Sequence, residues 1–461
     1  MSRADAIAAA RRYFTAGGFA ADLARRIAIP SESPREDSGP DHRRYLEREM
    51  APYLEAMGFA CRILENPVSE RLPALFAQRM EGEALPTVLT YGHGDVLWGM
   101  AGDWAEGLDP WTMVERDGRL YGRGAVDNKG QHAINLAALA ALIETRGRLG
   151  FNVKAIIEMG EESGSPGLQA IAETHRDLLR ADVLIASDGP RIAEERPTIF
   201  LGARGSMNFH LTCHCRDGAH HSGNWGGVLT NPGIRLAHAI ATLCDPKGRI
   251  LVEEWRPGPI PQSVRAALDE LAFEPGPDDP VTDPGWGEPG LEGPAQVLGF
   301  SSFEVLAYTC GRPEAPVNAV PGTARATCQL RYVVGVDGAR ILPALREHLD
   351  RHGLDDIEVE QMKRGFFSAT RTDPDNPWVR LVAASIERTT GRRPAILPKR
   401  GGSLPNEVFA TTLGMPTVWV PHSHPSCSQH APNEHMLASI AEEGLAMMAG
   451  VFWDIGERGG A

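Results

Sequence analysis

Four short apolar segments constrain this chain most, because each runs into side chains able to hold a metal. They are residues 86–91 (PTVLTY), 153–159 (VKAIIEM), 183–187 (VLIAS) and 417–420 (TVWV). Short, largely apolar runs, rich in β-branched residues, read as strands covered on both faces, as in a parallel sheet. Between the first two, residues 129–144 are rich in Ala and Leu, with apolar positions at helical spacing. Residues 167–175 form a further expected helix, with Pro166 near its start. Strands alternating with helices predict an α/β fold, a mostly parallel sheet flanked by helices.

The metal-capable residues fall in one pattern. His93 and Asp95 follow the first strand, and Asp127 lies just before the helix. Glu161 and Glu162 follow the second strand, Asp188 ends the third, and His422, His424 and His430 follow the fourth. In an open α/β sheet, ligands sit outside the carboxyl ends of the strands. Taken singly, each residue has an ordinary reading: a core histidine, a solvated loop acid, a turn cap. Five such coincidences at one sheet edge favour the joint reading.

Charge supports it. Two divalent cations per subunit bring +4, against one negative charge each from Asp127, Glu162, Asp188 and a bridging hydroxide. Neutral imidazoles from His93 and His430 complete the shells. Such ligands suit zinc, with cobalt or manganese as substitutes. Asp95 is placed to accept the other ring N–H of His93 and fix its tautomer. Glu161 and Glu162 are adjacent, so their side chains diverge. One can bind metal while the other stays free to move a proton.

The middle of the chain differs. Residues 198–215 and 324–332 alternate apolar and polar, as half-exposed antiparallel strands do. Residues 234–243 and 339–349 read as helices, and the Pro/Gly/Asp-rich stretch 256–294 as long loops around a short helix. A smaller α+β domain, residues 203–366, is therefore expected as an insertion in a catalytic domain made of residues 1–202 and 367–461. A length of 461 residues also suits two domains better than one.

Composition excludes some partners. A formal net charge of −14 argues against nucleic acid and against an anionic membrane surface. Residues 1–18 read as an amphipathic helix, not a signal peptide, and no apolar run approaches the roughly 20 residues of a membrane span. Seven cysteines without a CxxC pair read as reduced thiols in a cytoplasmic protein. Cys213 and Cys215 would share one strand face and His214 the other, which favours buried strand thiols over a metal site.

The motifs that carry a resemblance are YGHGDV (91–96), YGRGAVDNKG (121–130), EMGEESGS (158–165), ASDG (186–189), HHSGNWGG (220–227), NAVPGTARA (318–326) and HAPNE (430–434). In this order, over nearly the whole chain, they resemble the di-zinc aminoacylase/carboxypeptidase metallopeptidase family. That family includes carnosinase-type dipeptidases, glutamate carboxypeptidase, aminoacylase and succinyl-diaminopimelate desuccinylase. The resemblance implies that His93, Asp127, Glu162, Asp188 and His430 are metal ligands, with Asp127 bridging both ions and Asn128 following a cis peptide. It implies Glu161 as general base and Asp95 as the partner that orients His93. His422, His424 and His435 match no ligand position and are expected on loop or helix surfaces.

The inserted domain of that family dimerises and acts as a lid, so a homodimer is implied. His221 matches a lid histidine that stabilises the oxyanion in the active site of the partner subunit. Asn318, Arg331, Gly402 and Ser403 match substrate-binding positions, and the resemblance implies that Arg331 binds a carboxylate of the substrate. Arg331 taken alone also reads as a solvent-facing strand residue. One departure stands out: the dipeptidase branch carries Arg-Glu before Gly-Gly-Ser, whereas this chain has Lys399-Arg400. The implied activity is hydrolysis of a peptide bond in a dipeptide or similar small peptide, by a metal-bridging hydroxide. An N-acyl amino acid amidohydrolase or single-residue carboxypeptidase with the same chemistry is the alternative. A metal-binding scaffold without catalysis is the third reading, and the free carboxylate of Glu161 argues against it.

Overall fold

The computed structural model describes residues 1–271, 281–362, 366–402 and 404–458. The chain divides into two compact units. The first comprises Met1–Gly202, Thr372–Leu397 and Leu404–Ala461, the second Ala203–Arg371 and Pro398–Ser403.

The first unit is built on an eight-stranded sheet. Its centre is four parallel strands in the order Asn152–Glu158, Thr87–His93, Val183–Ala186, Thr417–Trp419. Ala74–Arg79 and then Ala60–Leu64 extend one side in antiparallel pairing. Thr198–Phe200 and Ala395–Leu397 extend the other. The central strands are buried and mostly apolar because both faces are covered. Val88, Val153, Ala155, Ile157 and Ile185 enter one core cluster, with residues of the helices Arg3–Thr15, Lys129–Arg146 and Ala438–Arg458. Leu89, Tyr91, Ile156, Leu184 and Ala186 enter another, with residues of Leu168–Thr174. The first helix opens with Ser2 as cap, in a reciprocal capping box with Asp5.

The second unit carries a four-stranded antiparallel sheet in the order Ser302–Cys310, Thr323–Tyr332, Gly205–His214, Ile357–Gln361. Leu236, Ala239 and Leu243 of the helix Pro232–Leu243 share a core with Phe209, Leu211, Cys328 and Leu330, as do Ile341, Leu345 and Leu349 of the helix Ile341–Arg351. Cys213 and Cys215 are free thiols whose sulfurs lie 3.7 Å apart, and His214 is exposed. The loop-rich stretch holds the helices Gln262–Asp269 and Gly293–Gly299.

One expectation is corrected here. Residues 198–215 are not half-exposed antiparallel strand throughout, since Thr198–Phe200 is fully buried and pairs in parallel with Ala395–Leu397. Thr198–Phe200 joins the large sheet, while Gly205–His214 belongs to the second unit. The intervening LGAR run breaks the alternation, and Gly205 lies so close to Tyr332 that a Cβ would run into its ring. Among the described residues, no helix is long and apolar enough to cross a membrane.

Candidate active site

Loops at the carboxyl ends of the central strands carry the chemistry. His93 is the last residue of its strand, and Glu161 and Glu162 form a short turn just beyond Asn152–Glu158. Asp188 lies two residues past Val183–Ala186. Asp127 lies two residues before the helix Lys129–Arg146 and is joined to Asn128 by a cis peptide bond. The turn into that helix is tight: a Cβ on Gly130 would run into the Ala125 carbonyl oxygen.

Two donor sets form around Asp127. His93, Asp127 and Asp188 place ligand-capable atoms within 4.8 Å of one another, as do Asp127, Glu162 and His430. The Asp127 carboxylate divides between them. Its Oδ1 lies 3.0 Å from His93 Nε2 and its Oδ2 lies 2.8 Å from His430 Nε2. His430 Nε2 is also 3.3 Å from Glu162 Oε2, and His93 Nε2 is 3.8 Å from Asp188 Oδ2. Glu161 belongs to neither set, yet its Oε2 is 4.0 Å from His93 Nε2.

The electrostatics are those of crowded carboxylates. Burial pushes Glu161 well above the usual carboxylate range, and Asp188, Glu162 and Asp127 add to it against the pull of His93. Burial and Asp127 push Glu162 up to about 7. Burial would raise Asp127 as well, but hydrogen bonds from His430 and His93 hold it well below its ordinary value. Hydrogen bonds to Asp127 and Glu162 lift His430 to about 10. Protons are thus needed to keep three acids and two imidazoles together. Divalent cations satisfy the same atoms without them, and this mixed carboxylate and imidazole set fits zinc.

Supporting bonds fix the basin. Asp95 is wholly buried, with Oδ1 3.4 Å from His93 Nδ1. Glu434 is a residue that the sequence reading left without a role, although HAPNE contains it. Its buried carboxylate accepts the N–H groups of Val126 and Asp127 and pairs with Arg123 at 2.7 Å. Gln429 Nε2 donates to Asp127 Oδ2 at 2.5 Å. Asn128 bonds the Ser187 carbonyl and, through its Oδ1, His132, which in turn meets the Tyr45 hydroxyl.

The expectation that His422, His424 and His435 lie at the surface is overturned. All three are buried. The chain after Thr417–Trp419 passes inward, and His422 sits so close to the helix Ala438–Arg458 that a Cβ on Gly444 would meet its ring at 2.9 Å. His424 and His435 pack edge to face at 5.3 Å.

The lid positions lie in the second unit. His221 and Asn318 are both exposed and adjoin the same two-stranded ribbon, in which His221 pairs with Ala319. Ser222 donates to the Asn318 carbonyl at 2.9 Å. Arg331 is half-buried near the end of Thr323–Tyr332, with Nε bonded to Gln329. Gly402 is exposed, and Ser403 lies outside the described residues.

A parallel-sheet basin with a shared carboxylate between two imidazole-bearing donor sets defines a metal-dependent hydrolase. The sequence profile of peptidase family M20/M25/M40 matches residues 89–454, and this chain belongs to that family. It is 29% identical over 332 residues to the cysteinylglycine-S-conjugate dipeptidase of Corynebacterium striatum, covering 69% of this chain and 70% of that one. It is 27% identical over 411 residues to the human Beta-Ala-His dipeptidase, covering 84% and 78%. The M20 family metallo-carboxypeptidase Sso-CP2 from Sulfolobus solfataricus has the same fold, with a TM-score of 0.76 at 23% identity, covering 95% of this chain and 99% of that one.

Proposed function

We propose that this enzyme hydrolyses the peptide bond of a dipeptide or similarly small peptide, using two divalent cations held around Asp127. Zinc is the foremost metal, with cobalt or manganese as substitutes. The observation that carries the reading is the divided carboxylate of Asp127, with His93 at one oxygen and His430 at the other. Such ions lower the pKa of the attacking water and polarise the scissile carbonyl. His93 and Asp188 would hold one ion, Glu162 and His430 the other. Glu161, outside both sets, takes the proton from the attacking water and hands it to the departing amine. Asp95 keeps the Glu161 turn in place through the backbone N–H.

The second unit, in this reading, is the dimerisation and lid domain of a homodimer. His221 stabilises the oxyanion in the active site of the partner subunit, and Asn318, Arg331, Gly402 and Ser403 hold the substrate. The free thiols fit a cytoplasmic setting.

The test is a panel of dipeptides against N-acetyl and N-succinyl amino acids, assayed with zinc, cobalt and manganese. Turnover of acylated substrates alone would replace the dipeptidase reading with the amidohydrolase one. The basic pair Lys399-Arg400 favours keeping that second reading in the panel.

A further inference from the structure

Three basic side chains of the second unit form no ion pair among the described residues. Arg204, Arg331 and Lys399 all belong to that unit. Backbone pairing brings them together. Arg204 N donates to the carbonyl of Arg400, the residue after Lys399, at 3.2 Å. Arg204 Nη2 donates to the Arg331 carbonyl at 3.4 Å and to Ser302 Oγ at 3.1 Å. Lys399 is 0% exposed and Arg204 8%.

Each of the three carries a buried nitrogen without a hydrogen-bond partner among the described residues: Arg204 Nε, Arg331 Nη1 and Lys399 Nζ. The buried Ser301 Oγ is in the same condition. The charges do not balance either. Besides burial, Arg204 and Arg371 depress Lys399, and no carboxylate among the described residues opposes them. Arg204 feels Arg331 as well, with Glu304 opposing. A guanidinium stays protonated even when buried, and a buried charge without a partner is costly. An anion would relieve all three residues at once.

We propose that Arg204, Arg331 and Lys399 form an anion-binding site whose ligand is an organic carboxylate. A carboxylate offers about four lone-pair positions, enough for the three orphan nitrogens, and a guanidinium matches its plane. A cavity of about 370 Å³ adjoins Arg204 and is bordered by Ser301, Ser302, Phe300 and Phe303, and by the carboxylates of Glu304, Asp283 and Glu288, the last of them paired with Arg256. The two phenyl rings suit a carbon skeleton better than a bare inorganic anion. Glu304 competes with the ligand for Arg204. The resemblance placed a substrate carboxylate at Arg331; Arg204 and Lys399 are the new assignments. The carboxylate comes either from an acidic group of the substrate, which deepens and rests on the hydrolase reading, or from a free dicarboxylate.

The first measurement is calorimetric titration of succinate into the metal-free, full-length Glu161→Gln protein, with and without Lys399→Met. Binding that weakens about tenfold in the double variant, the scale of one lost charged hydrogen bond, is the expected result. The second is the ratio of kcat/KM for a dipeptide with an acidic side chain to that for its neutral amide isostere. A tenfold fall of this ratio in Lys399→Met assigns the carboxylate to the substrate. An unchanged ratio with weakened succinate binding assigns it to a free anion. Should Lys399→Met not fold, Arg331→Gln at its half-buried strand position takes its place. Absence of succinate binding to the parent protein together with an unchanged ratio overturns the site. Failure of the wild type to hydrolyse any peptide or acyl amino acid would sink the functional reading alone, because the titration needs no turnover.

Discussion

Asp95 binds the backbone of Glu161, its Oδ1 accepting that N–H at 3.2 Å while its Oδ2 accepts the Glu162 N–H at 3.1 Å. The same carboxylate lies 3.4 Å from His93 Nδ1. One buried acid therefore ties the turn that carries the proposed base to the strand end that carries a proposed metal ligand. Asp95→Asn keeps the volume but turns a donor toward an N–H or removes a charge from His93. We expect metal affinity to fall by about 10–100-fold, the usual effect of losing such a partner. Competition with a chromophoric chelator measures it, and an unchanged affinity would remove Asp95 from this role.

Glu161 sits beside the basin but in neither donor set. Glu161→Ala should therefore retain its metal by elemental analysis while the rate falls by about 10²–10⁴-fold, the range for a lost general base. A rate like that of the wild type would mean that another group moves the proton.

Acid should destabilise this protein through buried histidines outside the two donor sets. Burial, with Arg191 adding to it, holds His422 well below the ordinary imidazole value. Burial, with His435 and Arg119, brings His424 down to about 4. A depressed imidazole contributes no penalty above the unfolded value of about 6.5, and stability is lost as pH falls from there toward the folded value. For His424 the loss is bounded at about 3 kcal/mol by that interval. The melting temperature should drop between pH 6.5 and 4, and His422→Leu should show a shallower drop. Parallel curves for the variant and the wild type would show that His422 does not carry the effect.

The legible part of this molecule was what repeats in one dimension. The central strands announced themselves because covering both faces makes Ala155, Ile156 and Ile157 apolar in succession. The edge strands Ala60–Leu64 and Ala74–Arg79 did not, since ACRIL and ALFAQR carry neither a clean alternation nor a long apolar run. Candidate ligands were legible because loops at strand ends have one edge to share. The bonds that hold them were not. Asp95 reaches amides 66 and 67 residues away, and Glu434 reaches amides more than 300 residues away, so no local spacing reveals either. Burial of His422 depended on the packing of a 21-residue helix whose Gly444 makes room for the ring.

His221 tests whether two subunits share a site. It is exposed on its short ribbon, beside Asn318. If it serves the site of the partner subunit, His221→Ala loses activity but keeps metal, as Glu161→Ala does for a different reason. Equal mixing of the two inactive proteins with full subunit exchange makes half of the dimers hybrid. Each hybrid has one site with both Glu161 and a partner histidine, and one site with neither, by the two-fold symmetry of such dimers. Activity should return to about a quarter of the wild-type value, a figure that the pairing statistics of a symmetric dimer fix. Exchange can be followed by native mass spectrometry of differently tagged subunits. Hybrid dimers that form without any return of activity would place the work of His221 within its own subunit or outside catalysis.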